Sequence, residues 1–210
     1  MNSLNFLIPY FFLSSLLAQS EFSPQAEIDI LNAHNDIRRQ IANSEFLAKN
    51  VPKPPAANMR ELKWNGALAT MAQDFALGCP DGVSGVTGFG QNIAWFWDAP
   101  NANRDSFGLK AVKDWIEQFE QNGWESNMYD PTDGIGYATQ MVWAITEKIG
   151  CGVADCGPDP TRSDHMTRYT VVCNYQIQGN IKGQNVYETG IGCSSCPDGT
   201  ECDDGLCKFV

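Results

Sequence analysis

The sequence has only two histidines, His34 and His165, and sets 14 lysines and arginines against 25 aspartates and glutamates. That is too little imidazole for a histidine-rich metal centre. A formal net charge of -11 repels phosphate backbones and anionic headgroups at long range, so neither nucleic acid nor polybasic membrane docking is expected. Long apolar runs are also missing. The one uncharged apolar stretch, residues 5–17, falls short of the roughly 20 residues that span a bilayer, and it contains Pro9, Ser14 and Ser15. Ala18-Gln19-Ser20 follows as a small-x-small cleavage site, so residues 1–20 read as a signal peptide. A secreted, extracellular protein without an integral membrane segment is expected. No Asn-x-Ser/Thr sequon is present, so N-glycosylation is not expected, and no internal repeat appears.

What the chain does have is eight cysteines in two groups. Cys79, Cys151, Cys156 and Cys173 are spread through the body, whereas Cys193, Cys196, Cys202 and Cys207 crowd the C-terminal end. Behind a signal peptide they indicate disulfides rather than a zinc knuckle. If pairing stays within each group, three connectivities remain open for each, and spacing does not choose between them. From residue 190 onward the chain is nearly all Cys, Gly, Ser and Asp, too poor in apolar residues for a core of its own. Disulfides must hold this tail.

Ser23-Pro24 predicts a helix start, followed at helical spacing by Ala26, Ile30, Ala33, Ile37 and Ile41, with His34 beside the stripe. Prolines 52, 54 and 55 make residues 49–58 an irregular connection. Leu68, Met71, Ala72, Phe75 and Ala76 mark a second amphipathic helix opening near Asn65. A glycine-rich loop over residues 78–90 leads to an aromatic strand or buried turn at 92–97, and a third helix carries Phe107, Ala111, Val112, Trp115, Ile116 and Phe119. A helical piece at 138–143 precedes strands at 149–153 and 168–175; Tyr169, Val171 and Cys173 alternate with Thr170, Val172 and Asn174 in the second. Intermixed helices and strands predict an α+β fold, a three-layer alpha/beta/alpha sandwich over residues 22–189, with a small cysteine-rich tail over 190–210.

Gly136-Tyr137-Ala138-Thr139-Gln140-Met141-Val142-Trp143 resembles a signature of the CAP superfamily, also called SCP/TAPS, which includes venom allergen 5 and plant pathogenesis-related protein 1. Val171-Val172-Cys173-Asn174-Tyr175 with Gly179-Asn180 resembles its second signature. His34-Asn35 with Arg38, Gly90-Gln91-Asn92-Ile93 and Ile149-Gly150-Cys151-Gly152-Val153 add further matches, most similar to nematode venom-allergen-like members. The resemblance spans about residues 22–190 and implies the pairs Cys79 with Cys156, Cys151 with Cys173, Cys193 with Cys202 and Cys196 with Cys207.

Many members of that family converge two His and two Glu in a central cleft that can bind zinc. The matching positions here are Val83, Gln91, Gln118 and Tyr137, so the resemblance implies a cavity that has lost its metal ligands. Amides are poor zinc ligands and an aliphatic side chain is none. Glu117 and Glu120 flank Gln118, but a one-residue shift on a helix turns a side chain by about 100°. No metal and no cofactor are expected. Ser84, beside Val83, lacks the neighbouring base a nucleophile needs, so no enzymatic activity is expected. Trp95, Phe96 and Trp97 match the family's sterol-associated loop, which makes sterol or fatty acid a candidate ligand. The alternative is an extracellular protein partner, met through residues 51–57, the loop at 159–162 or the tail.

Overall fold

The computed structural model describes residues 22–210; the segment read as a signal peptide lies outside the described residues. Helix α1, Pro24–Ala42, begins at Ser23, whose hydroxyl accepts from the Ala26 N–H at 3.2 Å. Pro24 follows, where a missing N–H leaves nothing unpaired. Strands β1 (Leu47–Ala48) and β2 (Val51–Pro52) form a short hairpin, so the proline-rich connection is not wholly irregular. Strand β3 (Lys63–Trp64) precedes helix α2, Gly66–Leu77, whose first turn is capped by Asn65 Oδ1 accepting from the Leu68 N–H at 2.9 Å. Strand β4 (Gly90–Asp98), helices α3 (Asp105–Ile116), α4 (Gln118–Asn122) and α5 (Gly136–Met141), and strands β5 (Lys148–Pro158) and β6 (Thr167–Gln176) complete the body. The tail adds the hairpin β7 (Thr200–Asp203) and β8 (Leu206–Phe209).

Four strands form one sheet in the order β3-β5-β6-β4, with β3 parallel to β5 and the other pairs antiparallel. Period-two alternation splits the side chains between its faces. Tyr169, Val171, Cys173 and Tyr175 join the main core with Ile30 of α1, Phe107 and Trp115 of α3 and Phe119 of α4. Val172, Ile93 and Ala154 lie on the other face with Ala72 and Ala76 of α2. Helices thus cover both faces, giving the three-layer α+β sandwich. Helix α2 sits directly on the β5 backbone at Gly150 and Gly152, where a Cβ would come within 2.2 Å of Ala69 N and 2.5 Å of Gln73 Cα. Met71, expected on the inner face of α2, points outward and is exposed.

Cys151 and Cys173 lie opposite each other in the β5–β6 ladder and are bridged, with Cα atoms 4.1 Å apart. Cys79–Cys156 ties the end of α2 to β5, and Cys193–Cys202 and Cys196–Cys207 staple the tail. These are the pairs that the family resemblance implies. Disulfides are not all that holds the tail, however. Leu206 and Cys207 are fully buried, the Cys207 N–H donates to Met59 O at 2.7 Å, and Cys207 O accepts from the Glu61 N–H at 3.0 Å. The body supplies the apolar surface that the tail's own composition lacks. Among the described residues no helix is long and apolar enough to cross a membrane.

Candidate functional site

Val83, Gln91, Gln118 and Tyr137 come from four separate segments and line one cavity of about 330 Å³, together with Tyr129, Gly134, Gly136 and Asn180. Gln91 is the second residue of β4, Val83 stands in the glycine-rich loop, Gln118 begins α4 and Tyr137 lies in the first turn of α5. Trp115 fixes the register: its indole N–H donates to Ile93 O at 3.0 Å, pinning α3 to β4 three residues before Gln118. The neighbouring acids point elsewhere. Glu117 pairs with Lys113 at 3.8 Å, and Glu120 accepts from the Lys49 N–H at 2.9 Å. A second lobe of about 220 Å³ shares Val83, Gln91 and Asn180 with the first and extends along residues 84–90.

The two amides of the cleft, Gln91 and Gln118, are engaged in its frame. Gln118 Oε1 accepts from the backbone N–H groups of Tyr137 at 2.9 Å and Ala138 at 3.1 Å, which the first turn of α5 leaves without intrahelical partners. Gln91 Oε1 accepts from the Ser84 N–H at 2.6 Å, while its Nε2 donates to Asn174 Oδ1 at 2.8 Å. Asn180 clamps α5 from the other side, donating to Gly136 O and accepting from the Thr139 hydroxyl. Gln140 Oε1 accepts from the Gly179 N–H at 3.0 Å. Asn180 and Gln140 stood in the sequence signatures, yet only their placement identifies them as cleft residues; Tyr129 carried no signal.

His34 is fully buried outside the cleft. Its Nδ1 lies 2.8 Å from Ile30 O and its Nε2 lies 3.0 Å from the Tyr175 hydroxyl. The second hydroxyl contact comes from Asn92 Nδ2 at 3.3 Å. Asn92 Nδ2 also donates to Tyr137 O at 2.9 Å, so a polar chain runs from α1 to the cleft wall. Burial lowers the His34 pKa to about 4, keeping the ring neutral. Arg38, likewise fully buried, donates to the carbonyls of Arg60, Met141, Trp143, Ala144 and Thr146 and so holds the chain leaving α5; burial lowers its pKa to about 9. His165 is exposed on the β5–β6 connection.

The residues present do not fit a zinc ion. Neither cleft lobe is lined by a carboxylate, imidazole or thiolate. Among the described residues no group of three His, Cys, Asp or Glu side chains is placed to share a metal. Ser84 has no imidazole near it either, and its hydroxyl accepts from the Val86 N–H at 3.3 Å.

Residues 92–97 form a strand, one of the two readings the sequence allows, and nine consecutive residues of β4 pair with β6; Trp95, Phe96 and Trp97 are therefore strand residues and not the loop that the family resemblance implies. Phe96 stacks on Phe107, with ring centroids 5.5 Å apart. The Trp95 indole donates to Pro80 O at 2.9 Å, and the Trp97 indole donates to Asp159 Oδ2 at 2.8 Å. Trp97 stays 39% exposed beneath the Arg162 guanidinium. Neither indole donor is left for a ligand hydroxyl.

Comparison with known proteins places this arrangement. The model of the cysteine-rich secretory protein family, CAP, matches residues 31–175. Venom allergen 3 of Solenopsis invicta is 36% identical over 172 residues, covering 76% of this chain and 70% of that protein. Peptidase inhibitor 16 of Mus musculus is 31% identical over 195 residues, covering 91% of this chain but 34% of that protein, so the chain spans about a third of its length. The crystal structure of NaASP2 with Zn2+ superposes with a TM-score of 0.76 at 29% identity, covering 89% of this chain and 96% of that one. Family match and fold agree, and the chain belongs to the cysteine-rich secretory protein (CAP) family.

Proposed function

We propose that the chain is a secreted, non-enzymatic binding protein whose central cleft works without a metal ion. The observation that carries this reading is the use of the two amides: Gln91 and Gln118 direct their oxygens at backbone N–H groups in a cleft without a charged lining residue. Oxygens committed in this way are poor ligands for a cation. Ser84 has no base to activate it. Four disulfides fit an oxidising extracellular compartment. Zinc titration by calorimetry, run beside an ester and peptide hydrolysis panel, tests the reading: silence in both is expected. A micromolar zinc site that survives removal of the tail, or hydrolysis abolished by Ser84→Ala, overturns it.

Away from the cleft, the packing favours a protein partner met at a rigid surface over lipid carriage. A Cβ on Gly108 of α3 would lie 2.5 Å from Ile30 Cδ1 of α1, so these helices leave no space for an acyl chain at that crossing. The loop at 159–162 is braced instead: Asp159 Oδ1 accepts from the N–H and hydroxyl of Thr161, and Asp159 Oδ2 accepts from the Trp97 indole. Such pre-ordering reduces the entropy lost on binding a protein. Lipid binding is the second reading, favoured by the exposed part of Trp97. Sterol binding lost in a folded Trp97→Ala variant would make it the first.

A further inference from the structure

The cleft is uncharged in a protein that is strongly acidic. No Asp, Glu, Lys, Arg or His lines either lobe, and residues 82–97 contain no charge at all, although the chain carries a net -11. A carboxylate or sulfate ligand would meet no counter-ion there and would be repelled by the surrounding field. A cationic ligand would meet no carboxylate among the lining residues, only the field of Asp130 and Asp133 beside Tyr129. A purely aliphatic ligand would strand the amide and phenol groups without partners. What remains is a neutral ligand rich in groups that both donate and accept hydrogen bonds.

The unused polar atoms have that complementarity. Gln118 has its oxygen committed to α5, but its Nε2 has no hydrogen-bond partner among the described residues. The hydroxyls of Tyr129 and Tyr137 are likewise without a partner among the described residues; burial raises the pKa of both phenols, and Asp130 and Asp133 add to the rise at Tyr129. Amide donors beside two neutral phenols suit hydroxyl groups, and the phenol rings offer apolar faces to C–H bonds. The larger lobe, about 330 Å³, is at the small end of ligand sites, which run roughly 300–1,000 Å³. It offers room for one ring beside Gln118 and Tyr137.

We infer that the cleft formed by Gln118, Tyr129 and Tyr137 is a binding site for one uncharged sugar ring, such as the terminal residue of a neutral glycan. The inference rests on the reading of a metal-free cleft. The geometry assigns Gln118 Nε2 and the Tyr137 hydroxyl as the direct contacts.

Saturation-transfer NMR and calorimetry on the full chain, with methyl glycosides of glucose, galactose, mannose and N-acetylglucosamine as probes, test it. Millimolar or tighter binding of at least one neutral glycoside is expected, unchanged by EDTA. Gln118→Glu keeps the oxygen that holds α5 while removing the amide donors, and Tyr137→Phe removes only a hydroxyl. Each should weaken binding about tenfold, the effect of one lost hydrogen bond, with circular dichroism unchanged. No binding by any neutral probe, equal binding of glucuronic acid, or a loss as large in Trp97→Ala overturns the inference. Zinc titration of the same samples separates the two readings: a zinc site in the cleft removes the metal-free premise, whereas glycoside failure with zinc silence removes the sugar site alone.

Discussion

Nε2 of His34 and the hydroxyl of Tyr175, separated by 141 residues in sequence, are 3.0 Å apart with both residues fully buried. Nδ1–H donates to Ile30 O, which leaves Nε2 to accept from the tyrosine. The folded protein therefore binds the neutral ring. With a pKa lowered to about 4 by burial against about 6.5 in the unfolded chain, His34 takes up its proton on unfolding between those values. Its contribution is full above pH 6.5 and lost as pH falls toward 4, on the order of 3 kcal/mol in all. Urea unfolding from pH 7.5 to 4.5 should show this slope, and His34→Gln should flatten it.

Arg38 meets five backbone carbonyls. Lysine has a single ammonium and cannot reach the same fan of acceptors. Arg38→Lys should cost about 3–5 kcal/mol in denaturant unfolding, since several buried carbonyls lose their donor. A change under about 1 kcal/mol would show that the chain after α5 is held by other means.

The two cleft amides should respond differently to replacement by an acid. Gln91→Glu replaces the group that donates to Asn174 Oδ1 with a second acceptor, and should lower stability by about 1–3 kcal/mol. Gln118→Glu keeps the acceptor for the Tyr137 and Ala138 N–H groups and should change it by under about 1 kcal/mol. Parallel urea titrations at pH 7.5 compare them; equal losses would contradict the asymmetry.

Loop closure ranks the disulfides. Cys79–Cys156 spans 77 residues and Cys193–Cys202 spans 9. Chain entropy assigns them roughly 4.5 and 2.6 kcal/mol, respectively. Paired Cys→Ala variants of each bridge, measured by thermal unfolding, should show the larger loss for Cys79–Cys156.

Sequence alone determined whatever depends on neighbours along the chain. Ser23 and Asn65 cap helices because a short polar side chain reaches N–H groups three residues on, and β6 divides Tyr169 from Thr170 because successive strand side chains face opposite ways. The scarcity of histidine was legible for a similar reason: it is a matter of residue type. Tertiary structure decided which distant groups meet. It put Trp97 on Asp159 and Arg162 in place of an open loop, turned Met71 outward, and seated the tail on Met59 and Glu61. It also committed the oxygen of Gln118 to α5 while leaving its nitrogen without a hydrogen-bond partner among the described residues. Such contacts join residues whose separation in sequence carries no periodic signal, so they exist only once the sheet and its two helical layers have closed.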